Sequence, residues 1–140
     1  MLFGGSENVP TGTFDKIIEG VGGSNNGFTS RDVTTYFESF PKNALEKVLW
    51  LESDRMGFFI NSVTQRSLAI QQNVVQNEKR QGEDNSPYGF TDYVINKNLY
   101  PAGHPYSWEV IGEMEDLKGA TLNDVKSYYD NFYGPNNATL

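Results

Sequence analysis

Cysteine is absent from the 140 residues, so disulfides, thiolate metal sites and thiol catalysis are excluded together. Lacking disulfides leaves the compartment open, because a protein of this size manages without them inside or outside the cell. Histidine occurs once, at His104 in a proline-flanked loop. Catalytic zinc takes three protein ligands with imidazoles among them, so a solitary His104 reads as a structural or surface residue. No apolar run approaches the ~18 residues of a membrane span, and the start does not read as a signal peptide. Basic residues are also short: 11 against 18 acidic ones, a formal charge of −7. Nucleic acid and anionic membranes both require a basic face, which this balance does not supply. What the chain does have is aromatic bulk, with nine Phe, eight Tyr and two Trp. That is the composition of a folded acidic domain long enough to bury a core. The ends are apolar at Met1-Leu2-Phe3 and stop after Asn136-Asn137-Ala138-Thr139-Leu140, where a turn hands over to a strand-like stretch. Natural termini are usually polar and frayed, so both ends read as cuts through a larger fold.

The periodicity predicts five helices and one hairpin. Phe14, Ile17, Ile18 and Val21 repeat at helical spacing after Thr13, and Gly22-Gly23 stop the run. Residues 24–29 and 33–40 read as two strands of a β-hairpin around Ser30-Arg31-Asp32. A second helix follows Pro41 to about Met56, with Asn43 and Glu46 as a capping pair. Its apolar face is drawn from Ala44, Leu45, Val48, Leu49, Leu51 and Met56. A third helix spans about Thr64 to Gln81. A fourth spans Tyr88 to Asn98, with Phe90, Tyr93, Val94 and Leu99 facing inward. Tyr100 to Trp108 is a loop. The last helix opens on a Thr121–Asp124 capping box, carries Leu122, Val125, Tyr128, Tyr129 and Phe132, and ends at Gly134-Pro135. A lone hairpin is marginal by itself, so the sheet is expected to continue in strands outside residues 1–140.

Few residues here carry chemistry by pattern alone. Leu68, Gln71, Val74, Val75 and Glu78 fall on one face of the third helix. A carboxylate continuing an apolar stripe is costly to bury unless it is paired or binds a metal. The alternative is that the helix surfaces there and Glu78 is solvated like Lys79 and Arg80. Ser24, Ser30 and Ser39 have no histidine to form a triad with. Gly4-Gly5 and Gly22-Gly23 lack the Lys-Ser/Thr of a phosphate loop and read as turns. Glu83-Asp84 and Glu113 to Asp116 read as solvated caps and loops.

Four segments go further when taken in order. They are Met1-Leu2-Phe3-Gly4-Gly5-Ser6-Glu7-Asn8, Gly22 through Tyr36, Asn73 through Arg80, and Tyr133-Gly134-Pro135-Asn136-Asn137-Ala138-Thr139. Over essentially the whole chain this resembles the pitrilysin/insulinase-type zinc metallopeptidases, the family that includes mitochondrial processing peptidases. Bacterial cell-envelope members look closest. The resemblance implies an inverted zinc motif, His-x-x-Glu-His, followed almost at once by a stretch matching Met1 to Ser6. That motif would precede Met1, so no catalytic residue lies in this chain and the general base is outside it. The third zinc ligand of the family sits in a Val-Val-x-x-Glu setting, which Val74-Val75-Gln76-Asn77-Glu78 matches, making Glu78 the metal ligand. Some members carry an acidic residue seven positions earlier, where this chain has Gln71. The family lays its peptide substrate along an edge strand bearing Asn-Ala-x-Thr. Here the matching residues are Asn26, Gly27, Phe28 and Thr29, with Gly27 in place of the alanine.

The resemblance therefore implies an α+β fold, with helices packed on an antiparallel sheet. Residues 1–140 would be a single partial domain from the middle of the N-terminal metallopeptidase domain. It further implies a zinc endopeptidase as parent, with zinc in the parent and none held by this chain alone, which is expected to be inactive. Peptide or protein substrates are the expected partners, and a bacterial envelope or periplasm the expected location. A homo-oligomer is expected through the exposed sheet edge or the cut ends. Two other readings stand beside it: a non-catalytic subunit of the same family, and a peptide-binding module that uses the Asn26–Thr29 edge.

Overall fold

The structure, a computed structural model, describes residues 4–139; the Met1-Leu2-Phe3 part of the resemblance and Leu140 lie outside the described residues. Among the described residues the order is α1 (Thr13–Gly20), β1 (Ser24–Thr29), β2 (Thr34–Ser39), α2 (Leu45–Ser62), α3 (Gln65–Lys79), α4 (Thr91–Leu99), α5 (Met114–Gly119) and α6 (Leu122–Phe132). The two strands form one antiparallel hairpin. The chain groups into two compact units, residues 4–28, 34–65 and 121–139, and residues 29–33 and 66–120.

In the first unit α1 packs Phe14 and Ile18 against Val48 and Leu51 of α2, with Val9 completing the cluster. Helix α1 ends as its glycines dictate. Gly22 sits at φ 79°, and the N–H groups of Gly22 and Gly23 donate to the carbonyls of Glu19 and Ile18. This is a Schellman stop, in which the left-handed residue must lack a Cβ. Helix α2 differs from its expected form at both ends. No side chain caps it, so the Asn43–Glu46 pair does not form; a tight turn at Lys42–Ala44 leads in instead. It also runs past Met56 to Ser62, because Phe59 continues its inner face into a second cluster with Val63 and Tyr129. Leu45 and Leu49, expected inside, are exposed. A polar residue takes an inner position: buried Asp54 accepts hydrogen bonds from Ser6 Oγ and from Asn8 Nδ2 at 2.6 Å. The Thr121–Asp124 capping box at the start of α6 is present as expected.

In the second unit α3 turns inward Leu68, Gln76 and Lys79. It then widens into a π-turn at Arg80–Asp84, across which Lys79 Nζ pairs with Glu83 Oε1 at 2.6 Å. Helix α5 is an addition to the expected set, since the acidic run at 113–116 reads as loop. Gln72 Nε2 secures its end by donating to the carbonyls of Leu117 and Ala120, both at 2.9 Å. Helix α4 also departs from expectation. Phe90, Val94 and Leu99 are exposed, Leu99 by 67%, while Asn96 is the buried residue at 5%. The reason is partnership: Asn96 donates to Glu109 Oε1 at 2.7 Å and accepts from Arg31 at 2.7 Å. A buried amide with both its nitrogen and its oxygen bonded is tolerated where an unpaired one is not.

Candidate functional site

Strand β1 carries all four expected substrate residues, Asn26, Gly27, Phe28 and Thr29. The Ser30 N–H donates to the Val33 carbonyl at 2.8 Å and closes the turn. Stepping back along an antiparallel pair, this register sets Gly27 opposite Tyr36 and aims the Gly27 N–H away from β2. A Cβ on Gly27 would come within 2.9 Å of Tyr36 Cδ1. Glycine is thus required because a ring lies across it. The outward Gly27 N–H donates to Asn26 Oδ1 at 2.8 Å, so the edge donor is covered by the neighbouring side chain. Phe28 is 56% exposed.

The tip of the hairpin is held within the second unit. Arg31 donates to the Tyr106 carbonyl at 2.8 Å as well as to Asn96, and its guanidinium lies 5.0 Å from the Tyr106 ring centre. Asp32 accepts from the Tyr106 hydroxyl at 2.5 Å. His104 serves the same loop: its Nδ1 accepts from the Tyr106 N–H at 3.0 Å, and its ring stacks on Tyr100. The lone histidine is structural here.

Glu78 stands on the last turn of α3, in the second unit, and is exposed. It does not continue a buried stripe, since Val74 on the same face is exposed too. Its carboxylate makes no hydrogen bond or ion pair among the described residues, although Lys79 and Arg80 follow it directly. Those cations are committed elsewhere, Lys79 to Glu83 and Arg80 to Asn77 Oδ1 at 2.9 Å. Among the described residues no three His, Asp or Glu side chains converge as a metal site. One carboxylate does not hold a catalytic zinc. These residues could contribute Glu78 to such a site but do not form one.

Sequence reasoning missed a cluster in the first unit. Glu38 on β2 faces Glu52 and Arg55 of α2, and Glu52 chelates Arg55 with Nε at 3.0 Å and Nη2 closer still. Burial first and then the Glu52 carboxylate push the Glu38 carboxyl up to about 7, against the pull of Arg55. Its Oε1 is buried without a hydrogen-bond partner among the described residues. Burial works to lower the Arg55 guanidinium, but the bonds and charges of Glu52 and Glu38 outweigh it and its acidity falls further. The Arg55 guanidinium also lies 5.2 Å from the Tyr36 ring centre. The available sequence signal was period-two alternation, which puts Glu38 on the strand face of Tyr36.

Comparison with known proteins supplies the wider context. Residues 1–100 match the family model described as Insulinase (Peptidase family M16). A zinc protease, PqqE, of Helicobacter pylori is 35% identical over 138 residues, covering 99% of this chain and 30% of its own length. The crystal structure of a protease from Helicobacter pylori superposes with a TM-score of 0.89 at 34% identity, over 97% of this chain and 32% of that one. A crystal structure of a peptidase M16 inactive domain from Pseudomonas fluorescens shares the fold, with a TM-score of 0.76 at 22% identity over 91% of this chain and 31% of that one. The chain spans between about a quarter and a third of the length of the curated relatives it matches.

Proposed function

The chain belongs to the insulinase family, peptidase family M16, and from that premise we propose that it forms the middle part of the N-terminal metallopeptidase domain of a zinc endopeptidase. Glu78 would be the third metal ligand, with the His-x-x-Glu-His ligands and the general base lying before Met1. Zinc, when bound, supplies an activated water for peptide hydrolysis. The work of this chain's residues is ligation and substrate alignment. The main-chain groups of β1 at Asn26–Thr29 would pair with an extended peptide, giving affinity with little dependence on its sequence. To engage there, the peptide would displace Asn26 Oδ1 from the Gly27 N–H. The isolated chain would be inactive and would hold no zinc. The parent would act on peptides in a bacterial envelope or periplasm, and copies of the isolated chain would associate.

The observation that carries this reading is the exposed Glu78 carboxylate, left unspent beside two cations that bond elsewhere. The test uses the longer parent protein. Glu78→Gln should remove bound zinc and peptide turnover together while leaving the melting temperature in place, since an amide is a far poorer ligand than a carboxylate. A variant that keeps both metal and turnover refutes the ligand assignment. A parent sequence lacking either histidine or the glutamate of the motif removes the peptidase reading and leaves the non-catalytic subunit.

A further inference from the structure

A groove of about 400 Å³ in the first unit shares Tyr36, the ring across Gly27, with the hairpin and contains none of Asn26–Thr29 or Glu78 in its lining. Five aromatic rings line it, Tyr36, Phe59, Tyr128, Tyr129 and Tyr133, together with Val125 and Asp124. Most of the tyrosine hydroxyls are turned to other uses. Tyr129 shares its one hydroxyl proton between the carbonyls of Arg55 and Met56, at 2.6 and 2.9 Å, and the Tyr36 and Tyr133 hydroxyls bond to each other at 3.3 Å. The ring surface left to a guest is chiefly that of Tyr128, with the half-buried Tyr36 and Tyr133, because Phe59 and Tyr129 are buried against each other and Tyr129 stacks on Tyr133. A ring face carries the negative side of the aromatic quadrupole. Tyr36 already receives one cation in this way, from Arg55, which does not line the groove.

The lining holds no lysine or arginine and one charge, Asp124. Its hydrogen bonds from the Thr121 hydroxyl and N–H hold the carboxyl below the usual range, so it is ionised. Both bonds fall on Oδ2, leaving Oδ1 without a hydrogen bond among the described residues. This combination sorts the possible guests. An apolar guest would cover the carboxylate without compensating it. A sugar would meet few free partners. A primary ammonium would bring three N–H groups to one available carboxylate oxygen. A quaternary ammonium has no N–H to satisfy and is the cation that aromatic surfaces take best. A phosphate-bearing headgroup would set its own negative charge near Asp124 in a chain of net charge −7.

We infer that this groove binds the quaternary ammonium group of a small free molecule of the choline type, with the tyrosine rings as its walls and Asp124 as counter-charge. The test titrates the chain with choline and with its neutral isostere 3,3-dimethyl-1-butanol, following the tyrosine ring resonances by NMR. Choline should shift the rings of Tyr128 and Tyr133 saturably, and the isostere should bind on the order of ten-fold more weakly. Tyr128→Leu keeps the apolar bulk of a side chain that is 58% exposed and removes its π-face. It should weaken choline by a similar factor with an unchanged urea midpoint. Equal binding of the isostere, or choline affinity intact in Tyr128→Leu, would overturn the inference in favour of a merely apolar groove. Unmoved rings would overturn it outright, as would uptake onto phosphatidylcholine vesicles in place of free choline.

Discussion

Glu38 is the residue whose environment makes the clearest demand on solution conditions. Its carboxyl is raised from an ordinary 4.5 to about 7, by burial first and then by Glu52. A carboxyl raised in the fold binds its proton more tightly there than in the unfolded chain. Its stabilising contribution is thus complete below about pH 4.5 and lost as pH rises through about 7. Asp124 acts in the opposite sense, but only near and below its ordinary 3.8, outside that window. The urea midpoint should therefore fall between pH 5 and pH 8, and Glu38→Gln, which cannot ionise, should flatten that slope. A slope unchanged by the substitution would remove Glu38 from the account. Glu78 makes the contrasting case for what one sequence reveals. Its place in a Val-Val-x-x-Glu setting was legible, and of the two readings that spacing alone leaves open the solvated one agrees with the structure, where Glu78 and Val74 are both exposed.

At the scale of elements, local signals were readable and remote ones were not. The capping box of α6 and the Gly22 stop of α1 are written in adjacent residues, and both appear as expected. The inner face of helix α4 differs from the one its apolar residues predict because the partners that bury Asn96 are Arg31 and Glu109, distant along the chain. Helix α5 is not legible because six residues with an acidic start carry no apolar period. The hairpin tip follows the same logic, since its rigidity depends on Arg31 reaching the loop at Tyr106. Arg31→Ala would strip a charged partner from buried Asn96 and should cost about 1–2 kcal/mol. Amide hydrogen exchange should quicken across residues 96–108 more than in α6. Uniform exchange in variant and parent would show that the tip is not an anchor.

For the molecule as a whole, the notable quantity is apolar surface left open. Phe28, Trp50, Ile70 and Leu99 are all half-exposed or more, and they come from separate elements. Because they are separate side chains rather than one patch, the case for association rests on the strand edge. A strand edge such as β1 recruits partners by main-chain pairing. The isolated chain is accordingly expected to sediment as a dimer or larger species at micromolar concentration. A compact monomer with a cooperative melt would defeat that expectation. The hairpin and most helices were legible because helix and strand periods are local properties, while the α+β class followed from the family resemblance. The division into two units was not, since it depends on contacts that join residues 29–33 to the 66–120 segment.

The ring of Tyr36 lying across Gly27 has a consequence for how this hairpin can change over generations. A methyl group at position 27 has no room until the residue at 36 shrinks, and shrinking 36 alone opens a gap beside Arg55 and Tyr133. Neither single step is comfortable, whereas the exchange of small and large together keeps the volume. In a lineage of such chains the two positions would drift as one inherited character, alanine arriving at 27 in company with a lesser side chain at 36.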